Sequence, residues 1–149
     1  MRIFLAGIMQ GSLKSAEMHD QDYRLRLREA VPKHLPEYEI YDPLEFHTES
    51  IGYEDQKGRG VFLHHNKMCA EMDLLIASVP EASMGTAIEM WEAWKHDKLV
   101  ISISPLKHNW AVKYLSHILF EQESDFFKAL QNGTLRQQLI DLGAPLKPE

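Results

Sequence analysis

At 149 residues the chain has the size of one ordinary domain, and 44% hydrophobic with 26% charged residues gives it enough apolar material for a real core. A net charge of -6 disfavours a nucleic-acid polymer as partner, and no segment reaches the roughly 18 consecutive apolar residues of a membrane span. Cys69 is the sole cysteine, which excludes an intrachain disulfide and a cysteine metal cage. The N-terminus MRIFLAGIMQGS is interrupted by Gly7 and Gln10 and lacks a small-residue cleavage site, so the chain reads as cytoplasmic, with residues 1–149 as one domain.

Arg2 to Ala6 is a short apolar run that predicts a strand ending at Gly7. A helix is expected from near Ser15 to Val31, with Tyr23, Leu27, Ala30 and Val31 on one face, broken by Pro32 and Pro36. Tyr38 to Tyr41 predicts a second strand, and the polar, glycine-bearing stretch Leu44 to Gly60 predicts a mobile loop over the site. Phe62 to Met72 reads as a helix and LLIASV, Leu74 to Val79, as the clearest strand. A helix rich in tryptophan follows, then a strand at Leu99 to Ile103, a fifth apolar segment around Tyr114 to Phe120, and a last helix from Ser124 to Leu130.

Strands alternating with helices require crossover connections. The expected fold is therefore α/β, a single-domain three-layer sandwich around a mostly parallel sheet of about five strands. Ligands bind such sheets beyond the carboxyl ends of the strands, so the loops Gly7 to Ser12 and Pro80 to Gly85 face one crevice if strands one and three are neighbours.

The helix after Ser83 carries one carboxylate, Glu89, among apolar residues. On a helical wheel Gly85, Glu89, Glu92 and His96 form one narrow stripe, while Ala87, Ile88, Met90, Trp91, Ala93 and Trp94 cover most of the rest. That apolar excess predicts a second packing partner, plausible as another subunit, with Met90, Trp91 or Trp94 in the interface. Periodicity alone allows Glu89 to be a solvent-stripe residue. The neighbourhood offers more, because Ser83, Met84, Gly85 and Thr86 stand at a helix start, where free N–H groups favour an anion or a hydroxyl-rich ligand. Ser83 and Glu89 are separated by about 9 Å of helix rise, enough to bracket a sugar, although Ser83 also suits a plain N-cap.

The order FLAG, then MDLLIASVPEASMGTAIEMWEAW, then DKLVISISP resembles the nucleoside 2-deoxyribosyltransferase-like family, which includes nucleoside 5'-monophosphate N-glycosidases. The likeness runs from Ile3 to about Leu130, and its most specific part is the spacing of Asp73, Ser83, Gly85 and Glu89. It implies a flavodoxin-like sandwich in which Glu89 is the nucleophile and a glycosyl-glutamate is formed and then released to water or a second base. His65 stands where the family has an aspartate that handles protons on the leaving base, Phe4 where it has a tyrosine, and Gln10 where the glycosidase branch has an arginine. Ser83 replaces an aspartate of the nucleoside transferases, and a neutral hydroxyl tolerates a phosphate.

The resemblance thus implies Glu89 and His65 as catalytic residues, with Phe4, Gly7, Gln10, Gly11, Ser83, Gly85, Thr86 and Asn109 against the substrate and Asp73 structural or orienting. It also implies a small-molecule nucleoside or nucleotide partner, no cofactor, and a homodimer or larger homo-oligomer. In that assembly Asn109 reaches the partner's site; its other reading is the N-cap before Trp110. His64 and His65 diverge on a helix and do not form a metal motif, and Gly7 to Ser12 lacks the lysine of a phosphate-binding Walker loop. A nucleotide sensor that has lost the chemistry, and an NAD or ADP-ribose glycohydrolase, remain as alternatives.

Overall fold

The computed structural model describes residues 1–10 and 18–148. Five strands, β1 (Arg2–Gly7), β2 (Glu39–Tyr41), β3 (Leu74–Ser78), β4 (Leu99–Ile103) and β5 (Ile118–Phe120), form one parallel sheet in the order β2-β1-β3-β4-β5. The helices are α1 (Asp22–His34), α2 (Pro43–Phe46), α3 (Asp55–Glu71), α4 (Met84–Lys95), α5 (Trp110–Leu115), α6 (Glu123–Gln131) and α7 (Thr134–Asp141). Among the described residues no helix is long and apolar enough to cross a membrane.

The central strands are apolar on both faces because both are covered. Ile3, Leu5, Leu74, Ile76 and Ile101 join Leu27 and Val31 of α1, Phe126 of α6 and Leu139 of α7 in one buried cluster. The alternate residues Phe4, Ala6, Leu75, Ala77 and Val100 join Cys69 of α3, Met90 and Ala93 of α4 and Val112 of α5 in the other. Each fully buried leucine, isoleucine or phenylalanine contributes roughly 1.5–3 kcal/mol, and the two-residue strand period divides that gain between the layers. The architecture is the expected flavodoxin-like three-layer sandwich.

Several expected boundaries move. Residues 11–17, where α1 was expected to begin, lie outside the described residues, and the observed helix runs through Pro32 to His34. Pro32 removes one N–H near the helix end, where only a short stretch of ladder follows and Leu35 N–H closes on the Val31 carbonyl at 2.8 Å. The segment expected to be a loop holds α2, a 3-10 turn at Ser50–Gly52 and the first two turns of α3. Glycine at 58 and 60 costs about 1 kcal/mol each in a helix interior. Packing of α3 along α4 and the sheet offsets that cost. The last predicted helix begins at Glu123 with Gln122 at its N-cap, so Ser124 lies inside α6 and does not cap it. Beyond it, Gly133 at φ 76° turns the chain into α7, whose Leu135 and Leu139 share the buried face.

Strands β1 and β3 are neighbours, with Gly7 opposite Ser78, and the chain leaves β1 for one edge of the sheet and returns on its other side at β3. That reversal opens a crevice at the carboxyl ends of the strands, bounded by the segments after β1 and β3. Asp73 stands at the other end of the sheet. Its carboxylate accepts the Arg2 N–H at 2.6 Å and its own N–H bonds the Arg2 carbonyl at 3.0 Å. Five residues of strand, about 16 Å, separate it from the crevice, so it fixes the β1·β3 register and orients nothing in the site.

Candidate active site

The crevice holds a cavity of about 370 Å³. Gly7, Met9 and Gln10 line it from the end of β1, Arg24 from α1, and Pro43, His47, Ser50, Ile51 and Tyr53 from the segment after β2. Gly58, Val61, Phe62 and His65 enter from α3, and Ser83, Met84, Gly85, Thr86 and Glu89 from α4. Glu89 is the only carboxylate and Arg24 the only guanidinium among these described lining residues.

The start of α4 is built by its cap. Ser83 Oγ accepts from the Thr86 N–H at 3.4 Å and from the Thr86 hydroxyl at 2.9 Å, which aligns the first turn and holds Thr86 in a buried position. Ser83 is thus both N-cap and cavity wall. Glu89 lies one and a half turns further and leans back toward the helix N-terminus. It is partly buried, and burial pushes its pKa up to about 7, against the opposing field of the Arg24 guanidinium. Among the described residues no protein group hydrogen-bonds this carboxylate. Gly85 and His96 on its stripe are exposed, whereas Glu89 is half-buried and lines the cavity, which sets it apart from a plain solvent-stripe residue.

Arg24 was not foreseen as part of the site. It is buried, and its guanidinium donates to the Leu5 carbonyl at 3.0 Å, the Gly7 carbonyl at 3.4 Å, Asp42 at 2.7 Å and Gln21 at 2.8 Å. The signal was present, since position 24 falls three before Leu27 and seven before Val31 on the buried stripe of α1. An arginine on such a stripe needs buried partners, and the free carbonyls at the end of β1 supply them. Gly7 is required for a separate reason. A Cβ there would sit 2.9 Å from Cζ of Tyr23 and 3.1 Å from the Ser78 carbonyl oxygen.

His65 is buried beside the cavity, with Nε2 3.3 Å from the Tyr41 hydroxyl. Its pKa is lowered to about 4, chiefly by burial and then by His47 and His64, so the ring is neutral near pH 7. Phe4 is fully buried, stacks on Tyr41 at 5.8 Å and meets the His65 ring edge-on at 6.0 Å. It supports the histidine and does not line the cavity, contrary to the substrate contact expected of it. Gly7, Gln10, Ser83, Gly85 and Thr86 do line it, and Gly11 lies outside the described residues. Asn109 is not among the lining residues of its own subunit; its side chain caps α5, accepting from Ala111 N–H at 3.0 Å and Val112 N–H at 3.4 Å. Tyr41, His47 and Tyr53 were also missed, because the stretch that carries two of them reads as polar loop.

No family model matches the chain, and no curated protein matches it. Solved structures do. A conserved protein from Enterococcus faecalis V583 aligns with a TM-score of 0.61 at 18% identity, over 89% of this chain and 98% of that one. A 2-deoxyribosyltransferase from Bacillus psychrosaccharolyticus aligns with a TM-score of 0.61 at 20% identity, over 85% and 90%. The fold is that of the nucleoside 2-deoxyribosyltransferase-like family. A CMP N-glycosidase from Clostridium botulinum, at a TM-score of 0.50 and 20% identity over 89% and 99%, shares this deoxyribosyltransferase-like fold. The likeness extends over nearly the full length of each of these three chains.

Proposed function

We propose that this chain cleaves or transfers at the N-glycosidic bond of a nucleoside or nucleoside 5'-monophosphate, with Glu89 as nucleophile. The observation that carries the reading is a carboxylate in an apolar cavity, the only acid among the described lining residues and without a hydrogen-bond partner among the described residues, one and a half turns from a capped helix start. In the first step a Glu89 oxygen bonds the anomeric carbon while the bond to the base nitrogen breaks, and its electron pair leaves with the base. The departing nitrogen takes a proton from solvent, and neutral His65 hydrogen-bonds the leaving base without first carrying a positive charge. Water, or a second base, then attacks the same carbon and releases the carboxylate.

The deoxyribosyltransferase and the CMP N-glycosidase that share the fold support this class of chemistry. The test is a panel of nucleosides and their 5'-monophosphates, with released base read by chromatography. A ligand that raises the melting temperature but is never cleaved would make the protein a sensor instead.

The first N–H groups of α4, at Met84 and Gly85, have no intrahelical acceptor and stand on the cavity wall beside the Ser83 hydroxyl. A 5'-phosphate suits these neutral donors. A nucleoside 5'-monophosphate should therefore bind more tightly than its nucleoside, and Ser83→Asp should reverse the order by setting a carboxylate against the phosphate. Calorimetric titration of both ligands decides it, and equal affinities in the unmodified protein would remove the argument.

The homo-oligomer remains part of this reading. Trp91 and Trp94, 47% and 42% exposed, stack at 5.5 Å on the outer face of α4, near Met84 at 82%. Met90 is in the core of its own subunit, which removes it from the expected interface. The protein should sediment as a dimer or larger at micromolar concentration, and replacing both tryptophans with lysine should return it to monomer. A monomeric parent protein would end the argument.

A further inference from the structure

The base-side wall of the cavity contains a four-ring arrangement that neither the resemblance nor the neighbouring structures assign. His47 Nδ1 lies 3.1 Å from the Tyr53 hydroxyl, and His65 Nε2 lies 3.3 Å from the Tyr41 hydroxyl. The two imidazoles face each other at 5.2 Å with an interplanar angle of 66°. Each histidine therefore has one nitrogen engaged by a tyrosine, and among the described residues His47 Nε2 and His65 Nδ1 have no protein partner. Both histidines line the cavity, and none of the described residues that line this side carries a carboxylate or an ammonium; the Lys57 ammonium lies outside the lining, 3.7 Å from the centroid of the Tyr53 ring.

A phenol hydroxyl donates or accepts, and a neutral imidazole carries its proton on either nitrogen. When the tyrosine donates, the histidine's outer nitrogen carries the N–H and offers a donor. When the tyrosine accepts, the N–H is on the inner nitrogen and the outer one is an acceptor. Tyr41 and Tyr53 are each partly exposed, so water can take the hydroxyl proton in the second state. Neither state creates a charge in the cavity, and burial keeps His65 neutral across the range in which both states exist.

We infer that the Tyr53–His47 and Tyr41–His65 units form a tautomeric reader that accepts either a carbonyl or an amino group on the bound base. The inference rests on the proposed nucleoside chemistry for its ligand class. A wall with a fixed donor or a fixed carboxylate rejects the mismatched group by as much as about 10⁴-fold, because a buried polar group is left unpaired. A reader that moves its proton discriminates far less. Cytosine and uracil, or adenine and hypoxanthine, should then bind comparably despite their opposite hydrogen-bonding edges.

The experiment uses the full chain with Glu89→Gln, which holds substrates without turnover. Cytidine is paired with uridine and adenosine with inosine, each as nucleoside and 5'-monophosphate, and titrated calorimetrically. Members of a pair should bind within about tenfold of each other, whereas a fixed wall predicts far larger gaps. Adding His47→Asp or His65→Asp makes that position acceptor-only and should shift preference toward the amino member by tenfold or more. His47 is partly exposed and tolerates the change even where the buried His65 does not fold with it. Long-range ¹⁵N–¹H spectra of the histidines should show a different tautomer in the amino and keto complexes. A hundredfold preference within a pair, one unchanged tautomer in both complexes, or no binding by either pair overturns the inference. Base release by the unmodified protein is measured in parallel. Release with sharp amino-keto discrimination sinks the reader alone, while tolerant binding without release sinks the cleavage reading alone.

Discussion

Glu89→Ala is expected to lower single-turnover base release by about 10⁴-fold or more, roughly 5 kcal/mol of transition-state stabilisation, with ligand binding largely retained. The carboxylate would form the covalent bond, so no neighbour can replace it, and Glu89 is the only acid among the described lining residues. Mass spectrometry of the unmodified protein should reveal a glycosyl adduct on the peptide carrying Glu89 that rises and decays with turnover. Comparable rates in the alanine variant would refute the assignment.

The raised pKa supplies a second, independent readout. Attack requires the ionised form, so the rate with free enzyme should climb as pH rises through about 7. Stability runs the other way. A carboxyl whose folded pKa lies above its unfolded value destabilises the native state once the unfolded chain ionises. The cost is absent below about pH 4.5, grows through the interval to pH 7, and is full above it. Glu89→Gln removes that cost. It should leave stability unchanged at pH 4 and raise it at pH 8 by on the order of 3 kcal/mol, measured by urea unfolding. Equal stability at pH 8 would mean that the carboxylate is well solvated.

Arg24→Met should be the most destabilising single change near the site. It deprives Asp42 of its 2.7 Å ion pair in a position where both side chains are almost wholly buried. Two strand carbonyls also lose their donor. Breaking one partner of a buried pair costs about 3–5 kcal/mol, a large part of a typical total of 5–15. Arg28, 3.9 Å from the other Asp42 oxygen, offsets some of the loss. Changing Asp42 to asparagine as well should recover much of it, since asparagine still caps α2 at Leu44 and no longer strands a charge. If the single variant unfolds at the parent urea midpoint, Arg24 is not what joins α1 to β1.

The sheet and the nucleophile helix were legible because their signals are local. LLIAS and LVISI are apolar runs with only a serine each, as a doubly covered strand requires, and Ser83 precedes α4 with a recognisable cap. The base-side wall was not legible. His47 and Tyr53 stand at the C-caps of a short helix and a 3-10 turn whose hydrogen bonds are too few to impose a period on the sequence. Tyr41 was read as strand, and its bond to His65 crosses 24 residues, which no local pattern records. Asp73 shows the same limit from the other side, its structural or orienting role being read from a motif that says nothing of distance. Its spacing from Glu89 matches the family motif, yet the length of β3 puts the two at opposite ends of the sheet.

All described residues that line the cavity fall between Leu5 and Glu89, while β3 is completed as a central strand only by β4, which begins at Leu99. During synthesis every reacting group would leave the ribosome before the segment that covers the second edge of β3 exists. For that interval Leu74–Ser78, apolar on both faces, is an open edge able to pair with any extended chain nearby. A ribosome stalled just after α4 would thus carry a nearly complete set of chemical groups on a particle that cannot yet hold them apart from its neighbours. Its hazard is aggregation, and the residues that cure it touch no substrate.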